Sequence, residues 1–174
     1  GSWSGGNRGR MSDGSRTPPD VGIGVVGTGF GATVVAPAFA AAEGAIVRGI
    51  CSADRDRART AADGLGVPFS TDDPAALFSR SDVDLVCVAS PPHRHRALVV
   101  AALDAGKHVF CEKPFGVDLD DAVAMLAAAR QRRRLHFVDF EFRTVPARRS
   151  LESLIRSGDL GEIRHVVVTA MVAG

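Results

Sequence analysis

The sequence predicts an α/β protein built on a doubly wound parallel sheet. From Val21 onward, short apolar runs alternate with longer amphipathic stretches, which is the pattern of strands and helices in turn. Most of the runs are apolar on both sides, as expected of strands covered on both faces. A glycine-rich turn follows the first run and opens a helical stretch. Repeated β-α order with right-handed crossovers places helices on both faces of one sheet.

The individual elements follow from these runs and their boundaries. Apolar runs bounded by Gly, Pro, Asp or Ser predict strands at Val21–Val26, Ile46–Cys51, Leu85–Ala89, His108–Cys111 and Leu135–Phe140. The intervening and following stretches predict helices at Phe30–Ala41, Arg55–Gly64, Pro74–Ser79, His95–Ala105, Leu119–Arg130 and Arg149–Ser157. Gly106 is a natural helix stop, and Asp118 a natural N-cap. A final strand, Glu162–Val172, is predicted without a partner in the sequence, as the opening of a second sheet.

Composition excludes several classes of function. The 174 residues suffice for one domain and a short appendage, and 45% of them are hydrophobic. With 21 basic and 20 acidic residues, the net charge of +1 gives no electrostatic reason to expect a nucleic-acid or membrane partner. No apolar run approaches the roughly 20 residues of a membrane-spanning helix.

The cysteines and histidines predict neither a disulfide framework nor a metal site. Cys51, Cys87 and Cys111 are an odd number, far apart in sequence, and each lies within an apolar run, which favours buried free thiols. A reducing, cytoplasmic location is the expectation that follows. His93, His108, His136 and His165 have no metal-ligand spacing and are expected to be packing or surface residues.

Three segments are predicted along the chain. Residues 1–20 are rich in Gly, Ser, Arg and Pro and lack the apolar stretch of a signal peptide, so they are expected to be a disordered tag or tail. Residues 21–143 form the predicted nucleotide-binding domain. Residues 144–174 are expected to begin a C-terminal α/β domain that is truncated.

The turn after the first strand predicts a phosphate-binding loop. It has the form G-x-G-x-x-A, with Gly27, Gly29 and Ala32 in the three positions and Thr28 and Phe30 among the residues between them. The first glycine permits the tight turn and the second a close approach of the pyrophosphate, while a small third residue lets helix and strand pack closely. The helix N-terminus offers free N–H groups to phosphate. This context predicts a dinucleotide-binding Rossmann fold.

The end of the second strand bears on the choice between NAD and NADP. An acidic residue there, about 20 residues beyond the loop, would bind the adenosine ribose of NAD. We align that position with Ser52, which is small and neutral, and Arg55 is a nearby counter-charge for a 2′-phosphate. Asp54 is placed either to bind a ribose hydroxyl or to cap the next helix. NADP is therefore favoured slightly, and NAD stays open.

Two further segments resemble a known family. These are Ser-Pro-Pro-His-Arg-His at 90–95 and Ala-Gly-Lys-His-Val-Phe-Cys-Glu-Lys-Pro at 105–114. Together with the glycine loop they resemble the glucose–fructose oxidoreductase/inositol dehydrogenase/rhizopine-catabolism (Gfo/Idh/MocA) family, from about Val21 to the end. The resemblance implies a Rossmann domain followed by a larger α/β domain on an open, mostly antiparallel sheet. It also implies reversible hydride transfer between NAD(P) and a hydroxyl carbon of a sugar, cyclitol or related polyol.

The resemblance also implies roles for particular residues. The pyrophosphate would be lined by Gly27, Thr28, Gly29 and Phe30, with Ser90 and Pro91 under the cofactor and His95 on the following helix. Glu112, Lys113 and Pro114 would approach the nicotinamide ribose, and Arg143 and Pro146 match residues after the sixth strand. Lys113 matches the active-site lysine, whose ammonium would stabilise negative charge on the reacting oxygen and relay its proton. Glu141 departs from the family, which commonly has a small amide there.

The family's second catalytic group, a histidine in an Asp-x-x-x-His arrangement, belongs to the second domain. That domain also supplies most substrate contacts and the sheet through which the complete enzyme would form a homo-oligomer. The expectation is thus the cofactor half of an oxidoreductase, which binds dinucleotide and is inactive by itself. The alternative is a non-catalytic, stand-alone NAD(P)-binding module or partner subunit.

Overall fold

The structure is a computed structural model that describes residues 20–169. It contains six strands: β1 Val21–Val26, β2 Ala45–Cys51, β3 Ser70–Thr71, β4 Leu85–Val88, β5 His108–Glu112 and β6 His136–Asp139. All neighbouring strands are parallel, and their order across the sheet is β3-β2-β1-β4-β5-β6. The predicted doubly wound α/β fold is confirmed. The tail predicted to be disordered lies outside the described residues, except for Asp20.

Six α-helices connect or follow the strands. They are α1 Ala36–Ala41, α2 Arg55–Leu65, α3 Pro74–Phe78, α4 His95–Asp104, α5 Leu119–Arg132 and α6 Pro146–Ser157. A π-helical turn over Gly31–Val35 precedes α1, so the first predicted helix is divided in two. Short 3₁₀ turns at Pro92–Arg94 and Glu141–Arg143 were not predicted, because three residues give no periodicity.

The two faces of the sheet carry separate apolar clusters. On one face, Val35, Ala36 and Ala62 from the first two connections pack on Ile23 and Val25 of β1. On the other face α3, α4 and α5 pack on β4 and β5, with buried side chains Leu77, Phe78, Leu98, Leu103, Met125 and Ala129. A sheet covered in this way needs strands that are apolar on both sides, which explains the continuous apolar runs in the sequence.

Local capping sets where the helices begin. The Asp54 carboxylate accepts the backbone N–H groups of Asp56 and Arg57 at 2.9 and 3.1 Å, so it is the N-cap of α2. Asp118 accepts the N–H of Asp121 at 2.8 Å and caps α5 as predicted. Asp54 therefore takes the second of the two roles open to it, that of a cap.

The end of the described chain departs from the sequence prediction. Helix α6 begins three residues earlier than predicted, because Pro146 suits the first helical turn. It exposes its apolar side chains Leu151, Leu154 and Ile155. Residues 162–169 form no strand, so the predicted strand Glu162–Val172 is wrong over this range, and its last residues lie outside the described chain. No neighbouring described strand is available to satisfy its backbone hydrogen bonds, without which a lone strand does not persist.

Candidate functional site

The carboxyl ends of β1 and β4 border a cleft at the centre of the sheet. The chain passes from β1 to β2 on one side and reaches β4 on the other, so the connecting loops diverge and leave a crevice between them. The cleft has a volume of about 570 Å³. Its lining includes Gly27, Thr28, Gly29, Ser52, Arg57, Ser90, Pro91 and Arg94. Parallel sheets of this topology bind nucleotides at this position.

The two glycines of the loop have different reasons to be glycine. Gly27 has φ of +123°, donates its N–H to the Cys51 carbonyl at 2.8 Å, and has no room for a Cβ beside the Ala89 carbonyl. A Cβ on Gly29, in contrast, would meet no atom within 4 Å. Gly27 is therefore needed by the fold, whereas the open space at Gly29 is what a phosphate group at the loop requires.

Ser52 lines the cleft directly after the end of β2. It is 9% exposed, and its hydroxyl is 3.3 Å from the Thr28 hydroxyl. The nearby Asp54 carboxylate is occupied by the backbone of α2. Ser52 is the position aligned with the ribose-binding acid of NAD-dependent proteins. The hydroxyls of Ser52 and Thr28 thus stand where those proteins have a carboxylate.

Two arginines at the start of α2 point in different directions. Arg55, the counter-charge chosen from the sequence, has a side chain 78% exposed and lies 3.6 Å from the Asp72 carboxylate. Arg55 is absent from the cleft lining, whereas Arg57 is part of it. Side chains in the first helical turn lean toward the N-terminus, and two positions on a helix turn by about 200°. That geometry brings Arg57, which the sequence argument missed, toward Thr28 and Ser52.

Ser90 lines the cleft, whereas His95 is buried in the fold. The Ser90 hydroxyl lines the cleft, and its oxygen is buried without a hydrogen-bond partner among the described residues. His95 is fully buried: its Nε2 donates to the Ser90 carbonyl at 2.7 Å. Its Nδ1 lies 3.2 Å from the Phe115 carbonyl and 3.4 Å from Cys111 Sγ. His95 therefore joins the loops after β4 and β5 and does not face the cleft.

Lys113 borders a second cavity, beyond the end of β5. This cavity measures about 820 Å³, and Pro114, Glu141, Arg143 and Arg148 also line it. Lys113 Nζ lies 3.4 Å from Glu141 Oε1 and 5.9 Å from the centre of the Phe30 ring. The Lys113–Pro114 peptide bond is cis. Glu141, the departure noted in the sequence, is thus in direct contact with the lysine.

Glu112 directly precedes Lys113 in the chain and is 5% exposed. Burial, and then the neighbouring Asp139 carboxyl, raises the pKa of Glu112 to about 7. Asp139 is the register partner of Glu112 on β6 and was not singled out from the sequence. Predicting this contact requires knowing that β5 and β6 are neighbours and which residues face each other.

The described residues contain no cluster of side chains that could hold a metal ion. Within residues 20–169, no three His, Cys, Asp or Glu side chains come together as a bound metal ion would need. The three cysteines are buried and free, as predicted. No helix in the described part of the chain has the length and apolar character to cross a membrane.

Comparison with known proteins agrees with this geometry. The sequence profile of the Gfo/Idh/MocA family, described as an oxidoreductase family with an NAD-binding Rossmann fold, matches residues 21–140. The chain belongs to this family. The resemblance inferred from the glycine loop and the segments at 90–95 and 105–114 is thereby confirmed.

Individual relatives illustrate the range of the family. The chain is 32% identical to the levoglucosan dehydrogenase of Pseudarthrobacter phenanthrenivorans, over 83% of the chain and 39% of the relative. It is also 32% identical to the myo-inositol 2-dehydrogenase of Thermotoga maritima, over 85% of the chain and 44% of the relative. The present chain therefore spans less than half of the length of each of these relatives.

Solved structures show the same fold. KijD10, a 3-ketoreductase from Actinomadura kijaniata solved in complex with NADP and TDP-benzene, superposes with a TM-score of 0.77 at 34% identity. The match covers 83% of the present chain and 45% of KijD10. The nicotinamide-cofactor fold predicted from the sequence is confirmed at this level, while the individual site residues stay predictions.

Proposed function

We propose that this chain binds NAD(P) across the carboxyl edge of its sheet, as the cofactor half of an oxidoreductase. The proposed reaction is hydride transfer between the nicotinamide and a hydroxyl carbon of a sugar, cyclitol or related polyol. The observation that carries the proposal is the cleft at the β1–β4 switch point, with open space at Gly29 and with Ser90, whose buried hydroxyl has no partner among the described residues, in its lining.

The residues of the cleft fit a dinucleotide. Backbone N–H groups at the start of the helical segment after Gly29 lack a preceding turn of carbonyls, so they are available to the pyrophosphate. Pro91 would lie under the cofactor next to Ser90. The nicotinamide would extend toward the second cavity, where it would accept or supply the hydride.

We further propose that NADP is preferred slightly over NAD. No carboxylate is free at Ser52 to bind a ribose hydroxyl, because Asp54 is occupied by the helix N-terminus. Arg57 and Arg94 line the same cleft and would attract a 2′-phosphate. The Asp72 carboxylate also lines it, but it lies 3.6 Å from the Arg55 guanidinium, which partly neutralises it.

Lys113 is the proposed catalytic residue. Its Nζ would donate a hydrogen bond to the reacting oxygen and stabilise negative charge there. Glu141 holds the ammonium group from one side at 3.4 Å and adds a negative charge to the cavity. Arg143 and Arg148 line the same cavity, so its charges are of both signs, and the proposed class of sugars and polyols follows the names of the levoglucosan and inositol dehydrogenases.

The test is dinucleotide binding by Gly29→Val beside a matched control. The valine side chain would occupy the space required by the phosphates, so binding should be lost while the free energy of unfolding stays nearly unchanged. Gly64→Val is the control: Gly64 lies in α2, also has no atom within 4 Å of its Cβ position, and does not line the dinucleotide cleft. Titration by calorimetry with NADPH and NADH should show binding for the unmodified chain and the control. Equal binding by Gly29→Val would contradict the proposed site.

A further inference from the structure

Two carboxyl groups lie side by side at the ends of β5 and β6. Glu112 and Asp139 are the last residues of their strands and are directly opposite each other in the register. Paired residues on neighbouring strands project to the same face, and two like charges at such a position repel each other. Glu112 is 5% exposed, and Asp139 is half-buried, so water screens this repulsion poorly.

One oxygen of the pair lacks the hydrogen-bond donor that a shared proton would supply. Glu112 Oε2 accepts the backbone N–H of Lys113 at 3.3 Å, whereas Glu112 Oε1 is buried and receives no donor from the described residues. The Asp139 carboxyl belongs to the register partner of Glu112 and contributes to raising the pKa of Glu112. An ionised carboxylate can only accept, so a bond between the two groups requires one of them to be protonated. A pair that holds one proton satisfies the buried oxygen.

The surrounding groups leave this pair as the one that changes charge near neutral pH. Burial raises the pKa of the Glu112 carboxyl to about 7, and the Asp139 carboxyl acts in the same direction. The buried Cys87 thiol of β4 lies on the same face of the sheet as the pair, and Cys111 precedes Glu112 on the opposite face; burial raises the pKa of each thiol, so both stay protonated. The Lys113 ammonium lowers the pKa of Glu112 and is itself paired with Glu141.

The pair is also placed to sense the charge of the nicotinamide ring. Glu112 directly precedes Lys113 and Pro114, which line the cavity on the nicotinamide side of the sheet. The oxidised ring carries a positive charge, and the reduced ring carries none. An ionised pair below the ring therefore favours the oxidised cofactor, whereas a half-protonated pair distinguishes the two forms less.

We propose that Glu112 and Asp139 share one proton in the free protein and release it to solvent when the oxidised cofactor binds. The O–H bond of the shared carboxyl breaks, and no other bond changes. The reduced cofactor leaves the proton in place, so cofactor oxidation state is coupled to pH. This inference rests on the proposed dinucleotide site.

The size of the coupling depends on the separation between the carboxyl pair and the nicotinamide ring, for which we take about 10 Å. Unit charges about 10 Å apart at an effective dielectric constant of about 20 change an equilibrium by roughly tenfold. The pair's apparent pKa should then fall by about one unit when the oxidised cofactor binds. Between pH 8.5 and pH 6, the affinity of the oxidised relative to the reduced cofactor should fall about fivefold, since part of the tenfold change lies below pH 6.

The experiment measures Kd for NADP⁺ and NADPH at several pH values with the 174-residue chain. The ratio of the two constants cancels the titration of the adenosine phosphate, which both forms carry. Calorimetry in two buffers of different ionisation enthalpy counts the protons released. Near pH 7 we expect net proton release on binding NADP⁺ and almost none on binding NADPH.

Asp139→Asn tests the residue assignment, because the amide keeps the size of the side chain and donates to Glu112. It removes the neighbouring negative charge but not the burial of Glu112, so the pH dependence of the ratio should weaken and move to lower pH. Asp104→Asn is the matched control: Asp104 is exposed and pairs with Arg132 at 2.9 Å, so the ratio should keep its pH dependence. Should Asp139→Asn not fold, the unmodified chain still decides, because a pH-independent ratio or equal proton release with both cofactors overturns the coupling.

Three outcomes separate the proposals. A pH dependence of the ratio that is unchanged in Asp139→Asn would assign the proton to another group and overturn the proposal. Absence of dinucleotide binding at every pH would contradict the proposed function itself, and the coupling with it. Binding with a constant ratio would leave the proposed function intact and refute only the coupling.

Discussion

Replacing Arg57 with alanine should weaken the binding of NADPH far more than that of NADH. Arg57 lines the cleft at Thr28 and Ser52, where the 2′-phosphate of the adenosine ribose would lie. The adjacent Arg55 has the same charge but is directed to Asp72, so Arg55→Ala is the matched control. The two variants remove identical side chains from opposite sides of the first turn of one helix, which separates a specific contact from a general loss of positive charge.

The magnitude follows from the exposure of the guanidinium group. At about 4 Å, unit charges interact by about 1 kcal/mol in water and by about 4 kcal/mol near a protein surface. Charge-assisted hydrogen bonds contribute about 1.5–3 kcal/mol. Because Arg57 is exposed, we take about 2 kcal/mol, which corresponds to a roughly 30-fold increase in the Kd for NADPH. NADH lacks the phosphate, so its Kd should change less than about twofold on the same scale.

Calorimetric or fluorescence titration of both cofactors against both variants provides the assay. Arg55→Ala should raise the Kd for NADPH by less than about threefold, the weak effect expected of an exposed charge. A larger loss in Arg55→Ala than in Arg57→Ala would refute the assignment of the cation made from the structure. If the unmodified chain bound NADH ten times more tightly than NADPH, the proposed preference for NADP would itself be wrong.

Three further predictions concern the scaffold around the site. His95→Phe should lower the free energy of unfolding by about 2–4 kcal/mol, because the Ser90 carbonyl loses its donor inside the fold. The exposed His93→Phe should change it by less than about 0.5 kcal/mol in the same urea titrations. Gly27→Ala should lower the free energy of unfolding by at least about 2 kcal/mol in the same assay, because φ is +123° and the Ala89 carbonyl leaves no room for a Cβ. A change as small as that of Gly29→Ala would contradict this expectation. Burial raises the pKa of Cys51 and Cys111 to about 12, so a thiol reagent at neutral pH should label them only after unfolding; fast labelling of the native chain would refute their burial.

The sequence was sufficient for elements whose signal is local. Long apolar runs predicted five of the six strands, and capping residues such as Asp118 placed helix starts correctly. Strand β3 was missed because Ser70–Thr71 is too short to show periodicity. The failure at 162–169 has the opposite cause: a strand-like pattern forms a strand only when a partner lies beside it.

The sequence predicted those parts of the site that depend on the backbone conformation of a short segment. It predicted less well the parts that depend on the direction in which a side chain points. The glycine loop needs particular residues in sequence order, so Gly27 and Gly29 could be identified without a structure. The choice between Arg55 and Arg57 depends on helical phase relative to the N-cap. His95 was expected near the cofactor because the segment 90–95, to which it belongs, resembles a cofactor-binding motif. That motif does not reveal that the His95 ring turns inward to the Ser90 carbonyl. The Glu112–Asp139 contact depends on strand order, which no single segment encodes.

The two ends of β5 carry the chain's only two lysines, and they differ in their surroundings. Lys107 Nζ donates to the Arg80 and Val83 carbonyls, each at 2.7 Å, and so ties a loop at the amino edge of the sheet. The side chain of Lys113 is 45% exposed at the opposite edge. An amine-directed fluorophore or reductive methylation with ¹³C-formaldehyde should therefore mark Lys113 well before Lys107. Apart from the α-amino group of the chain, Lys113 is then the main site of amine labelling. A label there would sit at the mouth of the proposed catalytic cavity, where it could report ligand arrival spectroscopically without any engineered cysteine.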